Sequence, residues 1–212
     1  MRSRWGSIVT SVVAIAACDD GAGAPDADPT APDADPTAPD ADRTTPDAAA
    51  ARPDAAGGVG EPPELAGITL RHNEVRATVD VPALTWDPAL AAIATAWVTQ
   101  CIDQQQPIGL VDHNAGRSTG YPSYVGENIF GAGGSATAAA AVDLWASEAQ
   151  YYDAGTNTCN APVGRSCGHY TQVVWRTTTK LGCALHACAG LQFGSTIVCN
   201  YGPGGNTGGA PF

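Results

Sequence analysis

The chain has 212 residues and a formal net charge of −11, and only residues 64–212 have the composition of a packed domain with one core. That size excludes a large two-domain enzyme and a full-length α/β barrel. Residues 64–212 carry 10 acids against 6 bases, with no basic stripe to neutralise phosphates, so neither nucleic-acid binding nor polybasic attachment to anionic lipid is expected.

In chain order, Arg2 and Arg4 precede an apolar run from Trp5 to Ala17. The run is shorter than the roughly 20 apolar residues a membrane-spanning helix needs, and it has the charged start and apolar middle of a secretory signal over 1–17. Its end, Ile15-Ala16-Ala17-Cys18, resembles a bacterial lipobox, in which the cysteine is lipid-modified and becomes the mature N-terminus. Cys18 is also the odd member of seven cysteines. The expected location is therefore outside the cytoplasm, lipid-anchored to the cell envelope or surface, or else secreted.

Residues 18–63 read as a linker. APDADPT occurs at Ala24–Thr30 and again at Ala31–Thr37, followed by APDADRT at Ala38–Thr44. Frequent proline disfavours helix and sheet, and the repelling Asp side chains extend the chain, which suits a solvated stalk. The carboxylates lack the glycine turn and ligand spacing of a calcium loop.

The domain, 64–212, begins with a helix predicted over Glu64–Val79 from the recurrence of Leu65, Ile68, His72, Val75 and Val79. Asp87-Pro88 is an N-cap followed by proline at the first helical position, opening a helix that runs to about Cys101. A long loop over 102–123 leads to a strand over Tyr124–Phe130. Ser135 is expected to cap an alanine-rich helix from Ala136 to Tyr151. After a loop at Gly155–Gly168, strands over Leu181–His186 and Thr196–Tyr201 form a late pair. Helices first and paired strands late predict an α+β domain.

The six remaining cysteines, behind an export signal, read as three disulfides, and six cysteines allow 15 pairings. A zinc–thiolate site is disfavoured, because four residues separate Cys183 from Cys188 and no CxxC pair occurs. Gly164-Arg165-Ser166-Cys167-Gly168 matches the GxSxG elbow of serine hydrolases. A loop precedes it and no acid follows it, so that reading fails.

Several strings then carry a resemblance: His72-Asn73-Glu74-Val75-Arg76, Leu84-Thr85-Trp86-Asp87-Pro88, Gly126-Glu127-Asn128-Ile129-Phe130 and Trp145-Ala146-Ser147-Glu148. They continue with Gly168-His169-Tyr170-Thr171-Gln172-Val173-Val174-Trp175 and Cys199-Asn200-Tyr201-Gly202-Pro203-Gly204-Gly205-Asn206. In this order they resemble the CAP superfamily of cysteine-rich secretory proteins, antigen 5 and plant pathogenesis-related proteins of the first class. The resemblance implies a three-layer α-β-α sandwich with a small central sheet and three disulfides. It implies the pairing Cys101–Cys183, Cys159–Cys167 and Cys188–Cys199.

It also carries over four residues, His113, Glu127, Glu148 and His169, as a central cluster able to hold zinc or another divalent metal while leaving positions open. No metal is expected to be required for folding. His72 reads instead as a core histidine, His186 as a strand side chain facing solvent, and Trp86, Trp97, Trp145 and Trp175 as core anchors. Tyr121 and Tyr124 are candidates for a cleft or lipid-binding loop. The expected function is a monomeric, non-catalytic binding module for a small apolar ligand, a lipid, sterol or envelope component. The alternative is a metal-dependent hydrolase, protease-like or acting on the cell envelope, with Glu127 or Glu148 as base. Fold alone does not decide between them.

Overall fold

The computed structural model describes residues 60–106 and 108–212. The expected signal over 1–17, the lipidation site Cys18 and all of the linker up to Val59 lie outside the described residues. Among the described residues, no helix is long and apolar enough to cross a membrane.

Four strands form the central sheet: β1 (Thr85–Trp86), β2 (Gly126–Ala132), β5 (Lys180–Ala187) and β6 (Ser195–Gly202). They lie in the order β1-β5-β6-β2, with β1 parallel to β5 and the other pairings antiparallel. Strands β3 (Tyr152–Asp153) and β4 (Thr158–Cys159) make a separate small hairpin.

Period-two alternation divides the sheet between two cores. Ile197, Cys199 and Tyr201 of β6 face one way, toward helices α1 (Ile68–Ala77), α3 (Ala138–Ala146) and α4 (Gly168–Val173), in a core that also holds Leu65, Trp145 and Val173. Val198 faces the other way and packs with Ala94 and Val98 of helix α2 (Pro88–Val98), Ile129 and Phe193. Helices on one face, sheet, and α2 on the other make the α-β-α sandwich. Gly182 of β5 lets α2 come close: a Cβ there would run into the backbone nitrogen of Ala91.

Local chemistry accounts for the helix ends, with three departures from expectation. Asp87 caps α2 as predicted, its Oδ1 accepting from Ala89 N at 2.8 Å and Leu90 N at 3.2 Å. The first predicted helix is broken at Gly67, whose φ of 86° is left-handed, so a short 3-10 turn at Pro63–Leu65 precedes α1. Glu61, assigned by composition to the linker, belongs to the domain: its carboxylate accepts from Gly67 N at 2.8 Å and Thr69 N at 2.9 Å, serving the positive end of α1. The third helix is capped by Thr137 rather than Ser135 and passes into a 3-10 turn over Ser147–Tyr151.

Two of the three implied disulfides are corrected. The bonds are Cys101–Cys188, Cys159–Cys167 and Cys183–Cys199, in place of Cys101–Cys183 and Cys188–Cys199. The hairpin register decides this: Cys183 and Cys199 are direct partners across β5 and β6, with Cα atoms 4.1 Å apart and side chains on the same face. Cys188 lies just beyond β5, beside the C-terminal end of α2, where Cys101 turns toward it at φ 50° with 5.4 Å between the Cα atoms.

Candidate functional site

Each of the four carried-over residues is half of a pair. Glu148 stands in the 3-10 turn after α3, 3% exposed, and faces the start of α4. Its Oε2 accepts from the backbone nitrogens of His169 at 2.9 Å and Tyr170 at 3.1 Å, and its Oε1 accepts from His169 Nδ1 at 2.7 Å. One carboxylate therefore caps a six-residue helix and orients the ring that helix carries. Because the carboxylate only accepts, the proton sits on Nδ1 and a neutral ring carries its lone pair on Nε2. That Nε2 is buried and has no hydrogen-bond partner among the described residues. The indole of Trp145 lies nearly parallel to the imidazole, 10° between planes and 6.5 Å between centroids.

The second pair is built by β2 and the loop before it. Glu127 Oε1 accepts from His113 Nδ1 at 2.7 Å and from Asn114 N at 2.9 Å. Asn200, the Cα partner of Glu127 across β2 and β6, completes the carboxylate: with its amide nitrogen turned inward it donates to Oε2 at 3.3 Å, while its Oδ1 accepts from Ala94 N at 3.2 Å. Arg117 orders the loop, donating to the carbonyls of Val125 at 2.7 Å and Asn114 at 2.9 Å and lying over the Tyr124 ring at 5.6 Å. Tyr121 donates to Asp87 at 3.1 Å, and its partial burial and that carboxylate push its hydroxyl up to about 12.

Each carboxylate serves its own imidazole, and among the described residues no three His, Cys, Asp or Glu side chains stand together as metal ligands. What the arrangement can offer a cation or a hydrogen-bond donor is ring nitrogen, oriented from behind by carboxylate, as in carboxylate–histidine metal sites.

The sequence reading missed the groups behind the pairs. Asn128, next to Glu127, donates to the carbonyl of His169 and to the hydroxyl of Tyr201, both at 3.1 Å. Tyr201 is fully buried and meets His72 Nε2 at 2.9 Å. Strand alternation was the available signal: neighbours of a site residue on a fully buried strand face the opposite core, and both Asn128 and Tyr201 are polar there. A separate groove of about 330 Å³ lies between Pro62, Trp86, Leu185 and the Ala91–Thr95 stretch of α2.

Comparison with known proteins agrees with this architecture. The family model described as "CAP: Cysteine-rich secretory protein family" matches residues 70–201. Pathogenesis-related protein 1B of Nicotiana tabacum is 44% identical over 136 residues, covering 64% of this chain and 72% of the relative. GLIPR1-like protein 1 of Homo sapiens is 40% identical over 148 residues, covering 64% of this chain and 56% of the relative. Among solved structures, Schistosoma mansoni venom allergen-like protein 4 superposes with a TM-score of 0.51 at 25% identity, covering 69% of this chain and 92% of its own. With the family model spanning more than half of the chain, and the sandwich in place, the protein belongs to the cysteine-rich secretory protein (CAP) family.

Proposed function

We propose that this protein is an exported, membrane-tethered binding module, without catalytic activity, that takes a lipid, sterol or envelope component and presents His113 and His169 to a divalent cation such as zinc. The observation that carries this reading is the orientation of His169, whose Nδ1 is locked by Glu148 while its buried Nε2 has no partner among the described residues. Such a nitrogen is costly to bury unless something binds it. His113 and His169 would hold the cation through Nε2, and the cation would supply a Lewis-acid anchor for an oxygen donor on the ligand.

Binding is favoured over hydrolysis because both carboxylates are already engaged in holding the groups around the two histidines. Glu148 accepts three hydrogen bonds, and Glu127 accepts from His113, Asn114 and Asn200. A general base needs an oxygen within reach of the proton it abstracts, and these oxygens are engaged in holding the histidines. The test is calorimetric titration of the oxidised full chain with zinc, beside the His113→Ala/His169→Ala variant. Micromolar binding that disappears in the variant is expected. Absence of binding in the unmodified protein overturns the cation part of the reading.

A further inference from the structure

Outside the two pairs, His72 is the buried group whose hydrogen bonds lead toward α4 through side chains. It is fully buried in α1, with Nδ1 2.8 Å from the carbonyl of Ile68 and Nε2 2.9 Å from the hydroxyl of Tyr201. A carbonyl only accepts, so Nδ1 carries the proton and Nε2 accepts from Tyr201. The Tyr201 oxygen then accepts from Asn128, whose amide nitrogen also donates to the carbonyl of His169. Every polar direction in the series is determined, and it joins α1, β6, β2 and α4. The same ring reaches His169 by a second route: His72 packs on Trp145 with 5.9 Å between centroids, and Trp145 stacks on the His169 imidazole.

We propose that His72, through Tyr201 and Asn128, is a positioning residue for His169, fixing the first turn of α4 from behind while Glu148 fixes it from in front. This extends the proposed function, because a displaced α4 turn would misdirect the nitrogen offered to the cation. The mechanism is geometric. Without the Tyr201 hydroxyl, His72 Nε2 and one hydrogen of Asn128 lose their partners together, and the Asn128 amide is no longer held at the His169 carbonyl.

Three variants of the full chain test it: Tyr201→Phe, His72→Leu and His72→Gln. The first two remove the hydroxyl and its acceptor, and Gln restores an acceptor. Two readouts are needed, so that failure of the cation reading and failure of this one are distinguishable. The first is amide hydrogen exchange at His169 and Tyr170, with Leu90 of α2 as reference, and it requires no metal. Exchange about tenfold faster in Tyr201→Phe and His72→Leu, with Leu90 unchanged and His72→Gln close to the parent, is expected. The second is zinc affinity, expected to fall about tenfold or more in the same two variants, the range for groups that orient a metal-binding histidine. Unchanged exchange at His169 and Tyr170 in both variants overturns the proposal, whatever zinc does. If exchange rises but the parent protein binds no zinc, His72 positions α4 and only the cation reading is lost.

Discussion

Glu148 holds His169 twice, by the backbone nitrogen at 2.9 Å and by the ring nitrogen Nδ1 at 2.7 Å. A charged, buried acceptor with three donors is a strong local tie, because each bond to an ionised group is worth more than a neutral one and each donor left behind is penalised. Substituting Glu148→Gln keeps the size but offers a single acceptor oxygen, so at least one of these donors is left unsatisfied. Urea unfolding of this variant is expected to show a loss of about 2–3 kcal/mol.

Arg76 is a second buried tie. It is fully buried and donates to the carbonyls of Pro82 at 2.7 Å, Val173 at 2.7 Å, Trp175 at 2.9 Å and Thr178 at 3.0 Å. No carboxylate pairs with it among the described residues, and burial lowers its guanidinium to about 10. The planar fork matches carbonyls at the end of α4, where a cation is favoured. A lysine cannot reach all four, so Arg76→Lys is expected to cost about 2–4 kcal/mol in the same urea measurement.

The protonation of His72 sets a pH dependence. Burial lowers its folded-state value from 6.5 to about 4, so the native protein requires the neutral ring. The lowered value means the contribution is present in full above the unfolded value and is lost as pH falls from about 6.5 toward 4. The loss amounts to about 3 kcal/mol over that window. Unfolding free energies measured between pH 7 and pH 4 should show this slope in the parent and a flatter curve in His72→Gln. Equal slopes in the two proteins would remove His72 as the cause.

The disulfide pairing can be read chemically. Cleavage after Leu185 separates Cys183 from Cys188, and non-reducing mass spectrometry of the fragments should find Cys101 joined to Cys188 and Cys183 joined to Cys199. Because Cys101–Cys188 spans 87 residues and Cys159–Cys167 only 8, the chain-entropy model ranks their removal. The double alanine variant of the first bridge is expected to lose about 4–5 kcal/mol, and that of the second about 2–3 kcal/mol.

The proposed tether at Cys18 is tested in cells. Cys18→Ser is expected to move the protein from the membrane fraction to the soluble exported fraction. Retention in the membrane fraction would mean that the cysteine is not lipidated.

Much of the architecture was legible before any coordinates. Asp87-Pro88 announced the start of α2 because capping and proline geometry act within three residues, and the two runs Leu181–His186 and Thr196–Tyr201 on either side of a glycine-containing turn announced a strand pair. Glu127, Glu148 and His169 were legible for a related reason, since the strings around them are local, whereas His113 stands in a variable loop outside those strings. The α4 helix was not seen, since six residues are too few to show a period.

What the tertiary structure alone decided is which groups meet. Sequence spacing reports the face of an element and is silent on its distance from elements far along the chain. Cys183 was assigned to Cys101 until the register of β5 on β6 put it opposite Cys199. His72 read as a core histidine because its helix face is apolar; only the packing of α1 on the sheet placed it against Tyr201, 129 residues away. The resemblance carried Glu127 and Glu148 over as members of the cluster; only the fold shows that each stands against one imidazole, His113 and His169. The sequence determined most of the longer elements and the chemical inventory of the site, through interactions a few residues long. The three-dimensional arrangement determined the partners, because a hydrogen bond or a disulfide forms only between groups that the fold brings within about 3–6 Å of each other.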